Sequence, residues 1–150
     1  MRNTFIASRA AYAAAILFAL HLVTYLIPSL RDATLATSAS VALVIGDLAL
    51  AQHVVVFPVV AALPAPAWAK GAGYCWLVVD MLTEVMQLAG VSKSLYLVLR
   101  LIFNLAAALW IASASWQAPT KAIRRTGVFV AADFALYSLL AGFAPWAFVV

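Results

Sequence analysis

Five long apolar stretches, separated by four short breaks, fill almost all of this 150-residue chain. In hydrocarbon every backbone N–H and C=O must find a partner inside the protein, and an α-helix does this within one segment. About 20 apolar residues suffice to cross a bilayer, and the stretches fall at about 8–30, 35–63, 68–88, 95–115 and 123–149. The expected fold is all-α: a single transmembrane helical domain over 1–150, built as an integral membrane up-and-down bundle of about five transmembrane helices. Composition agrees. Hydrophobic residues make up 67% and charged residues 9%, against roughly 45–50% and 25% in an ordinary soluble domain.

The breaks are Ser29-Leu30-Arg31-Asp32, Pro64-Ala65-Pro66, Gly90-Val91-Ser92-Lys93 and Gln117-Ala118-Pro119-Thr120-Lys121. Loops this short join antiparallel neighbours. With the N-terminus cytoplasmic, Arg2, Arg9, Lys70, Lys121, Arg124 and Arg125 lie inside, and only Arg31 and Lys93 lie outside. Six against two favours N-terminus cytoplasmic, C-terminus outside. The net charge of +4 thus reports topology, and no nucleic-acid partner is expected. Arg2 and Arg9 ahead of an apolar run resemble a signal n-region, but the run is long and lacks an A-x-A site, so it reads as a retained span. The expected location is a multi-pass membrane position, in a prokaryotic inner or plasma membrane. Trp68, Tyr74 and Trp116 mark the inner interface in this reading, and Tyr25, Tyr96 and Trp146 the outer one. Pro58 removes a backbone donor within the second stretch, and Cys75, the single cysteine, reads as a small buried apolar residue.

Inside the apolar stretches stand seven ionisable residues: His21, Asp47, His53, Asp80, Glu84, Arg100 and Asp133. A charge at the bilayer centre costs about 2.5–3.5 kcal/mol on insertion scales, so such groups face a protein-lined interior and mark a site. The third and fourth stretches form a hairpin centred near position 92, where residues whose numbers sum to 184 share a depth. Asp80 pairs with Asn104 on this rule, and Glu84 with Arg100. Each pair is spaced i, i+4, one face of a helix, so a Glu84–Arg100 ion pair is expected with Asp80 and Asn104 one turn deeper. The same arithmetic across the neighbouring breaks sets Asp47 level with Glu84, Gln52 level with Asp80, and Asp133 close to Asn104. The expected site is one polar chamber formed by helices two to five, with Asp47, Asp80, Glu84, Arg100, Asn104 and Asp133 as ligand- or ion-binding residues and Gln52 and His53 as a possible relay. Four carboxylates around one arginine cannot all be ionised in a low-dielectric site, which suits a proton or cation carrier. Interhelical hydrogen bonds to Thr83, Gln87, Asn104 or Tyr137 are the alternative use for the same groups.

Two histidines invite a bis-imidazole haem, but the depth arithmetic sets His53 about nine residues deeper than His21, roughly 13 Å at 1.5 Å per residue. Gly46-Asp47 resembles a fragment of the G-x-G-D signature of intramembrane aspartyl proteases, which would make Asp80 the second aspartate of a dyad. The signature's first glycine and the Pro-Ala-Leu element are missing. No G-x-S-x-G, H-E-x-x-H or phosphate loop is present, so no catalytic residue and no metal ligand set is assigned, and the cofactor is unknown. Three functions fit: binding or transporting a proton, ion or small polar solute; a non-catalytic integral subunit of a larger membrane complex of respiratory or photosynthetic type, contacting quinone, pigment or partner helices; or a small membrane enzyme acting on a lipid or isoprenoid. The partners expected are the lipid bilayer and the solute, ion or proton. The small-residue runs at 10–15 and 106–108 allow a homo-oligomer or a larger complex.

Overall fold

The computed structural model describes residues 2–27 and 39–147. Among them the chain is helical throughout, with no strand: α1 Arg2–Leu26, α2 Ala39–Ala62, α3 Ala67–Leu88, α4 Lys93–Trp116 and α5 Lys121–Ala147. The helix bounds follow the apolar stretches to within two residues at most ends. α1 is the exception and begins at Arg2, because no Pro or Gly between Arg2 and Ser8 stops a helix from extending through the basic segment. The first break, residues 35–38 of the second stretch and residues 148–149 lie outside the described residues. Phe5–Thr24, Leu43–Ala62 and Lys93–Trp116 are each long and apolar enough to cross a membrane.

Local chemistry sets the turns. Pro64 and Pro66 end α2 and start α3, since the residue before a proline is pushed out of helical geometry. The Lys70 ammonium donates to the Ala61 carbonyl at 2.6 Å and so satisfies an acceptor left open at the end of α2. α3 stops at Gly90, whose φ of 74° is left-handed. There the Val91 N–H bonds to the Met86 carbonyl and the Gly90 N–H to the Gln87 carbonyl, the two bonds of a Schellman cap.

Only helices consecutive in sequence pack backbone to backbone among the described residues: α1 on α2, α2 on α3, α3 on α4 and α4 on α5. Gly46 meets Leu88, His53 meets Asp80, and Phe57 stacks on Tyr74, so α2 and α3 run antiparallel. Glu84 meets Arg100 and Gly73 meets Trp110, which makes α3 and α4 antiparallel as well. Small residues let these helices approach. A Cβ built on Gly73 would lie 2.8 Å from Trp110 Cγ, so only glycine lets the indole lie flat against α3.

The apolar core is Val60, Leu77 and Trp110, with Val56, Phe57, Tyr74, Trp76 and Ile111 packed around it. Tyr74 therefore belongs to this core and not to an interfacial belt, because its position on α3 turns it towards Phe57 at 5.8 Å. Trp68 and Trp116, at helix ends, are exposed as an interface would require. Cys75 is exposed rather than buried: it lies about 200° from Gly73 and from Leu77 at roughly 100° per residue, on the far side of α3 from the buried stripe.

Candidate functional site

Next to this core, one turn along α3, lies a cleft of about 190 Å³ reached by side chains from all five helices. α3 supplies its spine. Trp76, Asp80 and Glu84 are spaced i, i+4, i+8 and so form one stripe. α2 adds Gln52 and His53, α4 adds Arg100 and Asn104, α1 adds Phe18, His21 and Leu22, and α5 adds Phe134. Trp76 separates cleft from core: it stacks on Trp110 at 6.2 Å, meets the His53 ring edge-on at 5.7 Å and meets Phe134 edge-on at 6.2 Å.

Arg100 binds three successive groups of α3. Its Nη2 donates to Glu84 Oε1 at 2.5 Å and to Thr83 Oγ1 at 2.9 Å, and its Nε donates to Thr83 Oγ1 at 3.1 Å. The Thr83 hydroxyl donates in turn to the Asp80 carbonyl at 2.7 Å, which leaves its lone pairs facing the guanidinium. Arg100 Nε also lies 3.1 Å from Asp80 Oδ1. The charges attract, but the angle is poor for a hydrogen bond, and Oδ1 is left with an open acceptor position.

On the other side of Asp80, His53 Nε2 is 2.7 Å from Oδ2, and His53 Nδ1 is 2.7 Å from the Ala49 carbonyl. A carbonyl oxygen can only accept, so Nδ1 carries a hydrogen. A hydrogen must also lie between Nε2 and Oδ2, because two lone pairs would repel at that distance. The pair therefore holds one proton, whether as imidazolium with carboxylate or as imidazole with carboxylic acid. With that proton in place the pair is neutral as a unit, and Arg100 balances Glu84, so these four side chains together have no net charge. Losing the proton would leave an uncompensated negative charge in a low-dielectric site, which is expensive.

The expected chamber thus forms in part. Asp80, Glu84, Arg100 and Asn104 come together with Gln52 and His53, and the expected Glu84–Arg100 pair is present. Asp47 and Asp133 do not join them: both are exposed and neither lines the cleft. Helix rotation accounts for this. Asp47 is six residues from His53, which turns it roughly 120° away around α2, and Asp133 is turned about 100° from Phe134 around α5. Near Arg100 the carboxylates therefore number two rather than four, with His53 as a further partner. The aspartyl dyad falls with the same observation, since Asp47 faces away from Asp80. Of the expected hydrogen-bonding residues Thr83 takes part, whereas Gln87 and Tyr137 are exposed.

His21 lines the same cleft as His53, closer than depth arithmetic over the first break implies. Haem ligation by His53 is opposed by its own contacts, because both ring nitrogens are already engaged. Among the described residues no group of three or more His, Cys, Asp or Glu side chains has a metal-binding arrangement. The aromatic walls Phe18, Trp76 and Phe134 were not in the expected set; for Trp76 the i, i+4 step to Asp80 was the available signal. Comparison with protein-family models, curated proteins and solved structures finds no match for this chain.

Proposed function

We propose that this chain is a five-span membrane protein whose cleft binds a small polar molecule in step with a proton, with Asp80 and His53 holding the proton and Arg100 and Glu84 keeping the site neutral. What supports this most is the His53 geometry: Nδ1 on a carbonyl and Nε2 on a carboxylate oxygen require a proton between the two side chains. α3 is too charged to stand among the apolar spans, yet its Asp80 and Glu84 are matched by His53 and Arg100 inside the protein, the arrangement a membrane demands of buried ionisable groups. The up-and-down course, with the N-terminus cytoplasmic and the C-terminus outside, is part of the same proposal.

The protonation of the His53 ring tests it. In detergent solution near neutral pH, 15N NMR of His53 should show a hydrogen on Nδ1 and a proton held between Nε2 and Asp80, and in Asp80→Asn the ring should revert to a single hydrogen. A bare Nδ1 in the folded wild type, with an ordinary Nε2–H donating to an ionised Asp80, would remove the extra proton from the mechanism. A second reading, a non-catalytic subunit of a larger membrane complex, is favoured by Asp47 and Asp133. Both are exposed and make no hydrogen bond or ion pair with the described residues, so a partner helix would relieve the cost of leaving them against lipid.

A further inference from the structure

Two buried amides in the cleft have no hydrogen-bond partner among the described residues. Gln52 and Asn104 are each 7% exposed, both line the cleft, and neither hydrogen-bonds to the described residues; of their polar atoms Gln52 Oε1 is fully buried. They stand on α2 and α4, the helices that flank α3 on its two sides without packing against each other. A ligand lying over Asp80 would therefore meet one amide at each edge. Trp76 Nε1 is buried without a hydrogen-bond partner among the described residues as well, whereas Asp80 Oδ1 already has the Arg100 charge beside it. Leaving buried polar groups unpaired is costly, and it points to a bound molecule that pairs with them.

Three properties of the site narrow what that molecule is. The volume, about 190 Å³, is a little above that of a cavity that takes up benzene, about 150 Å³, and so suits one substituted six-membered ring. Aromatic side chains wall it, namely Phe18, Trp76 and Phe134, and favour a flat π-system. The charged cluster is already neutral, so an ion would bring uncompensated charge, whereas a neutral ligand brings none. The route in is lateral. α1 and α5 bound the cleft but do not pack against each other among the described residues, and on the α1 side Phe18 and Leu22 are 53% and 50% exposed.

From these we infer that the cleft takes the headgroup of a membrane-dissolved quinone or quinol. The ring enters from the bilayer between α1 and α5, with its two oxygens at the Gln52 and Asn104 amides and its apolar tail left among the lipids. The inference rests on the small-molecule reading above and gives that site its ligand class.

The test uses the full chain in detergent and a decyl-tailed benzoquinone as probe, read through quenching of the five tryptophans. Quenching should saturate, and Trp76→Phe should lower its amplitude because the indole against the ring is gone. Decylbenzene, with the same ring and tail but no oxygens, should fail to displace the probe. Because leucine has the branched shape of asparagine and one heavy atom fewer than glutamine, the Gln52→Leu/Asn104→Leu double variant should fold and bind the probe about tenfold more weakly or worse. Quenching that does not saturate, displacement by decylbenzene, or unchanged affinity in the folded double variant would overturn the assignment. The His53 15N spectrum of the same preparation separates the two levels. If Nδ1 carries a hydrogen and a proton lies between Nε2 and Asp80 without quinone binding, only the ligand class is wrong; if Nδ1 is bare, the proton-coupled reading fails with it.

Discussion

Removing the Arg100 charge should harm the protein more than removing the Glu84 charge, and the structure says by how much. Arg100 is the ion-pair partner of Glu84 and is also within 3.1 Å of Asp80. In Arg100→Gln, Glu84 loses its cation and Asp80 keeps only His53, so two buried carboxylates face a site with one shared proton. Breaking a buried pair from one side costs about 3–5 kcal/mol. The Arg100 side chain is 22% exposed and Glu84 11%, which places the expected loss near the lower figure. In Glu84→Gln the guanidinium retains Asp80 and the Thr83 hydroxyl, so the loss should be about 1–2 kcal/mol, in the range of one charged hydrogen bond. The double variant Arg100→Gln/Glu84→Gln restores neutrality and should recover much of the Arg100→Gln loss, giving a coupling of about 2 kcal/mol. Reversible unfolding in mixed micelles with increasing denaturing detergent measures all four proteins. A charge swap is a poorer test, because Glu at position 100 would face Asp80. The reasoning fails if Arg100→Gln is no worse than Glu84→Gln, or if the double variant is as unstable as Arg100→Gln.

Further outcomes follow from packing and topology. Gly73→Ala should cost about 1–3 kcal/mol by forcing a methyl against the rigid Trp110 indole, whereas Gly71→Ala, which meets nothing within 4 Å, should be neutral or mildly stabilising; the same unfolding assay distinguishes them. Asp133→Leu should favour insertion of α5 by about 2.5–3.5 kcal/mol in a translocon assay if that face meets lipid. The same substitution should reduce co-purification of a partner if the chain is a complex subunit, so an unchanged result in both assays would show that Asp133 meets neither. A reporter fused after Val150 should be active only outside the cytoplasm; activity confined to the cytoplasm would reverse the topology drawn from the positive charges.

Hydrophobic runs, turn residues and the sum rule across each break are properties of a linear string, and they determined a good deal here. Helix number, most helix bounds and the shared depth of residues across the α3–α4 turn could be read that way, since rise along a helix is fixed at about 1.5 Å per residue. The Glu84–Arg100 contact followed from depth together with i, i+4 spacing, and the Gly90 stop from the conformational freedom of glycine. Rotation about each helix axis is a different matter. It depends on which neighbours a helix packs against, and the chain's polar residues were too few on α2 and α5 to define a face before those neighbours were known. For that reason Asp47 and Asp133 were placed in the site and lie outside it, exposed on other faces of their helices, while His53 turned inward to Asp80 and Ala49. The tertiary structure alone decided that His53 faces Asp80, that Arg100 meets both Asp80 and Glu84, and that Gln52 and Asn104 share their cleft, because contact is set by the groups that face one another and not by those that share a depth.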